Sequence, residues 1–125
     1  KRPRPKRGWN TTRTATRVLM TLARADGVTH PRELEVVRNF VVTALPGAPY
    51  GDTDSMIDYA MSLAPAFDRL MDLAARVCEA DEDIAAALRL SALALVRIDG
   101  EISGDEEVLM DEINTIFRAY NVPGA

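Results

Sequence analysis

Leu22-Ala23-Arg24-Ala25-Asp26-Gly27 and Leu95-Val96-Arg97-Ile98-Asp99-Gly100 are one phrase written twice. Each copy is followed by a hydrophobic residue (Val28, Ile102), then a hydroxyl (Thr29, Ser103), then an acid opening a new amphipathic stretch (Glu33, Glu106). A glycine behind the last residues of an apolar-periodic run marks a helix that stops because the chain must turn left-handed. Each copy therefore reads as the corner of a helix–turn–helix unit, and the chain carries two of them.

Outward from these corners the same period continues. A first helix runs from about Asn10 to Ala25, with Asn10, Thr11 and Thr12 as candidate caps and Ala15, Val18, Leu19 and Leu22 on one face. Pro31 suits the first position of a second helix, capped by His30 or Thr29 and with Glu33 near the third position. Leu34, Val37, Val41 and Ala44 mark its inner face, and the Pro- and Gly-rich stretch Leu45 to Gly51 ends it. Asp52 or Thr53 can cap a short third helix bearing Met56, Ile57, Ala60 and Leu63. Pro65 opens a fourth, with Phe67, Leu70, Met71, Ala74, Val77 and Cys78 inward. The acids Glu79, Asp81, Glu82 and Asp83 mark a helix start, where carboxylates meet orphan N–H groups and the positive dipole end. The fifth helix, Asp83 to Ile98, is apolar nearly all round, as a central helix is. Ser103 and Glu106 form a capping box for a sixth, with Leu109, Ile113, Ile116, Phe117 and Tyr120 inward. No segment keeps the two-residue alternation of a strand. The expected fold is all-α, a compact six-helix bundle with two pseudo-symmetric helix–turn–helix units around a central apolar helix.

At 125 residues, the chain fits one domain, expected over residues 10–122. Residues 1–9 read as a disordered basic arm, too polar and proline-rich to bury a core. Its opening on Lys1 rather than Met suggests a piece of a longer protein. The single cysteine, Cys78, allows no internal disulfide and reads as a small buried hydrophobe. The overall charge of −4 hides an asymmetry: residues 1–24 carry eight basic side chains and no acid, and the rest sums to −12. A basic arm on an acidic body can contact an anionic membrane surface. Nucleic acid is the weaker partner for it, because the acidic body opposes phosphate approach.

Chemistry, if any, gathers at the corners. An aspartate in the last turn of a helix sits at the negative end of the dipole and needs compensation. One answer is local capping of turn N–H groups. The other is a hard divalent cation, Ca²⁺ or Mg²⁺, held by Asp26 with Glu33 or Glu35, and by Asp99 with Glu106 or Glu107. The second copy matches the latter half of a calcium loop, with Asp99 at position 5, Gly100 at 6 and Glu106 at 12. Positions 1 and 3 are then Leu95 and Arg97, which cannot ligate, so this is not an EF-hand. His30 reads as a helix-cap residue. No nucleophile elbow, phosphate loop or Cys/His metal set is present, and the expected class is not an enzyme.

An Ala-Asp-Gly followed by a hydrophobic residue, a hydroxyl and a glutamate, ending one helix and opening the next, resembles the TerB-like (tellurite-resistance B-like) domains. That family includes the cytoplasmic region of membrane-anchored DjlA-type co-chaperones. The resemblance spans about Thr12 to Val122, and Ile98-Asp99-Gly100-Glu101-Ile102-Ser103 carries it best. The first copy departs, with Val28 directly after Gly27 and His30 before Pro31. The resemblance implies a helical, non-enzymatic module of a bacterial stress-response or co-chaperone-associated protein that works by binding other proteins. It also implies a cytoplasmic location, with any inner-membrane tether outside this chain. Its paired acids, carried over, are Asp26, Glu33, Asp99 and Glu106 or Glu107, as metal chelators.

Overall fold

The computed structural model describes residues 8–25, 29–45, 50–98 and 104–125. Among them lie six α-helices and no strand: α1 (Trp9–Ala23), α2 (Pro31–Ala44), α3 (Tyr50–Ser62), α4 (Leu70–Ala80), α5 (Glu82–Val96) and α6 (Gly104–Ala119). A single 3₁₀ turn, Phe67–Arg69, leads into α4. The all-helical bundle is as the periodicity dictates.

Two parallel helices form its axis. Gly8 heads α1 with a positive φ of 85°, and a side chain there would meet Ile84 in the first turn of α5 at 3.1 Å. At the other end, Ala25 just past α1 shares a hollow with Asp105, Val108 and Leu109 in the first turns of α6. The starts of α1 and α5 lie side by side, and the end of α1 lies by the start of α6. α5 packs on α1, α2, α4 and α6, with Ala85, Leu88, Ala92 and Leu95 closed off from solvent. α1 is equally central and touches all five other helices.

The sequence hides the centrality of α1 behind threonines. Thr12, Thr16 and Thr21 are all buried. Thr16 and Thr21 bury cheaply because each hydroxyl donates to the carbonyl four residues back, Thr12 and Arg17, both at 2.8 Å.

The two units repeat in part. α1 packs with its return helix α2, and α5 with its return helix α6. α2 also lies along α5, whereas α6 rests mainly on α4, which stands between it and α1.

Several side chains depart from the expected faces. Tyr120 lies past the end of α6 and is 41% exposed, because its hydroxyl turns outward to donate to Glu79. Phe67 and Met71 are 43% and 38% exposed: the 3₁₀ turn shifts the register, so the inner face of α4 is Leu70, Leu73, Ala74, Val77 and Cys78. The α1 cap is Gly8, not Asn10, Thr11 or Thr12, which all lie inside the helix, and Trp9 packs against the core. Asp52 and Thr53 lie within α3 rather than before it. Of the acids expected to mark a helix start, Glu79 lies within α4, Glu82 and Asp83 lie in the first turn of α5, and Asp81 is its cap, its carboxylate accepting the N–H groups of Asp83 and Ile84 at 2.9 and 3.0 Å. At the other end of the chain, Arg89 donates to the Gly124 carbonyl at 2.6 Å, tying the C-terminus to α5.

Candidate functional site

The duplicated phrase is duplicated in geometry as far as it is described. Ala25 donates its N–H to the carbonyl of Leu22, and Ile98 makes the same bond to Leu95. Arg24 and Arg97, which end their helices, share nearly one backbone conformation, φ −99° with ψ 7° and φ −99° with ψ −1°. Leu22 and Leu95, buried to the same degree, anchor the two ends. The arginine side chains then diverge. Arg24 is half-buried and donates to the Leu63 carbonyl at 2.7 Å, closing the end of α3, while Arg97 is exposed. A cation over the last carbonyls of a helix is the favourable sign.

Asp26 and Asp99, the centres of the two corners, lie outside the described residues, as does Ser103 of the expected α6 capping box. The helix-borne acids are placed. Glu33 is 3% exposed at the third position of α2, where its Oε1 accepts the N–H of His30 at 2.9 Å and completes a capping box. A buried carboxylate needs such partners, and this cap gives Glu33 a structural role of its own. Glu106 is half-buried and Glu107 exposed, both in the first turn of α6 beside Asp105, where the helix dipole favours acids. Glu35 is exposed on α2. Among the described residues no three His, Cys, Asp or Glu side chains gather as a metal ligand set. The hollow that joins Ala25 to Asp105 does bring the entry to one corner and the exit from the other to the same end of the bundle.

A second feature escaped the sequence reading. Between α2 and α5 runs an open groove of about 310 Å³, with Val36, Phe40, Ala87, Leu90 and Ala94 on its walls and only Asn39, Thr43 and Ser91 as polar neighbours. Leu90 stands in it 62% exposed. An unbroken apolar α5 suggested a helix surrounded on every side; the signal for an open strip was the same apolarity, read the other way. Among the described residues no charged side chain lines the groove.

Cys78 is buried, and burial pushes its thiol above the ordinary range, which leaves it protonated and inert. Among the described residues no helix is long and apolar enough to cross a membrane. Compared with known protein families, characterised proteins and solved structures, the chain gives no match.

Proposed function

We propose that this chain is a non-enzymatic, TerB-like interaction module, and that it takes an amphipathic helix of a partner protein into the groove between α2 and α5. The observation that carries this reading is Leu90, a large aliphatic side chain held mostly in water above an apolar floor with no charged rim. Two roughly antiparallel helices offer a ridged seat for a third, whose apolar side chains at three- and four-residue spacing would fill it. The resemblance of the Asp-Gly corners to those of stress-response and co-chaperone-associated domains agrees with a binding role.

The test is a photo-crosslinking residue at position 90 in cells making the protein, with Arg118 on α6 as the control position. A discrete adduct from position 90 alone, mapping to an amphipathic helix of the partner, is the expected result. Equal labelling from both positions, or none from position 90, sinks the reading.

A second reading has its own support in the matching ends of α1 and α5 and in the hollow shared by Ala25 and Asp105. It makes the two corners a divalent-cation sensor, with Asp26, Glu33, Asp99 and Glu106 or Glu107 as oxygen ligands suited to Ca²⁺ or Mg²⁺. Calorimetric titration decides it: saturable heat lost in Asp99→Ala supports it, and silence at millimolar metal removes it.

A further inference from the structure

On the face away from the groove, α1, α3 and α4 enclose a cavity of about 160 Å³ whose walls include Arg13, Arg17, Tyr59, Leu63, Leu73 and Arg76. Three arginines line it, and among the described residues no carboxylate does. Among the described residues none of the three has an acid within ion-pair distance; the one such pair, Arg38 with Asp54, lies elsewhere. This is unusual on a body whose acids so outnumber its bases. Arg13 and Arg17 stand one turn apart on the same face of α1, where like charges repel, and Arg76 adds a third from α4.

The cluster is also partly fixed in place. The guanidinium of Arg13 lies over the Tyr59 ring, 5.2 Å from its centroid. That is a cation–π contact. The Nε of Arg17 is buried and has no acceptor among the described residues, and Arg17 lines the cavity. The Thr14 hydroxyl is committed to the carbonyl of Asn10 at 3.0 Å. Beside the Tyr59 hydroxyl, the side-chain donors left at the cavity are guanidinium. Side chains already ordered lose less freedom when they bind.

We infer that this cavity is a binding site for a phosphomonoester group. Each guanidinium presents a planar fork of N–H donors that matches two oxygens of a phosphate, and three forks answer a dianion with three terminal oxygens. A carboxylate offers one charge and two oxygens and leaves part of the cluster unneutralised. Leu63 and Leu73 give an apolar wall for the carbon beside the ester oxygen. At about 160 Å³ the cavity has room for one terminal phosphoryl group rather than a run of phosphodiesters. This site is separate from the α2–α5 groove and does not rest on the interaction reading.

The test is an NMR titration of the full ¹⁵N-labelled chain at low ionic strength with inorganic phosphate and with glycerol 3-phosphate. Sodium acetate and sodium chloride at matched ionic strength are the controls. Saturable shifts at the amides of Thr14, Arg17, Tyr59 and Arg76 are expected. Arg76→Gln should weaken binding about tenfold, the loss of one charge-assisted fork. Arg76 is exposed, so the variant keeps its fold. Arg32→Gln, the same charge change on exposed α2, should leave the affinity as it was. A second arm uses phosphatidylcholine vesicles with and without phosphatidic acid. Capture by phosphatidic acid that Arg76→Gln weakens, with soluble esters silent, identifies a lipid headgroup as the source; binding of the soluble esters identifies a small metabolite. Equal shifts with acetate, equal weakening by Arg32→Gln, or no Arg76-dependent response in either arm overturns the assignment.

Discussion

The hydroxyl of Thr21 accepts the backbone N–H of Ala66 at 3.2 Å while it donates to the carbonyl of Arg17 at 2.8 Å. Both residues are buried, and the pair pins the segment between α3 and α4 onto the last turn of α1. Thr21→Val keeps the shape of the side chain and strands the Ala66 N–H away from water. The cost of such an orphaned donor is about 1–3 kcal/mol. Thr21→Ser keeps the acceptor and should lose markedly less. Urea unfolding of the two variants is the measurement, and equal losses would mean that the hydroxyl bond holds nothing.

Leu88 and Leu90 sit two residues apart on α5 and in opposite environments, one closed off and one mostly in water. Leu88→Ala opens a cavity on the axis of the bundle and should cost about 2–5 kcal/mol. Leu90→Ala removes only surface area and should stay within about 0.5 kcal/mol. A chemical-denaturation comparison reads this directly. Comparable losses at both positions would show that the strip facing the α2 groove is covered in solution, by this chain or by a second copy.

The helices other than α5 were legible by their 3.6 period and α5 by its nearly continuous apolar run, and the start of α5 was legible because its acids have a local reason to stand there; the expected stops at Pro46 and Gly100 lie outside the described residues. The His30–Glu33 box was readable for the same reason: a cap is a relation between residues two or three apart. What could not be read depends on the third dimension. The burial of Thr12, Thr16 and Thr21 on α1 was not legible, since nothing local says that a threonine such as Thr16 or Thr21 will satisfy itself on its own backbone. The 3₁₀ turn at Phe67–Arg69 rotates Phe67 and Met71 outward, and a short change of helix type leaves no signature in the apolar pattern. The twin corners were legible as a repeated phrase, but the arginine cavity was not. Arg13 and Arg17 lie in the basic first segment of the chain, and only packing of α4 on α1 brings Arg76 to them.

Tyr120 donates its hydroxyl to Glu79, and that bond, more than burial or charge repulsion, raises its ionisation above the ordinary phenol range. Ionising the phenol removes the donor and sets two negative charges side by side. The folded-state value is therefore the higher one. The stabilising effect of the bond is fully present below the unfolded phenol range, about 10, and is lost as pH rises through the folded-state value. Tyrosinate absorbance should show one of the three tyrosines titrating late. Glu79→Ala should return it to the ordinary range, and a profile unchanged by that variant would refute the pairing.

Asp81 ends α4 and begins α5 with no linker between them. Its backbone N–H bonds back to Val77 at 3.0 Å, and its carboxylate accepts two N–H groups of the next helix through a single oxygen. Such a junction fixes the angle between two core helices as well as capping one. Asp81→Ala removes both acceptor contacts and should cost about 0.5–2 kcal/mol, the range for a lost N-cap. Asp81→Asn keeps an oxygen in place and gives up only the charge at the positive end of the α5 dipole, a smaller loss. Thermal melts of the three proteins at neutral pH should rank wild type first, then asparagine, then alanine. If asparagine falls as far as alanine, charge rather than geometry holds the junction.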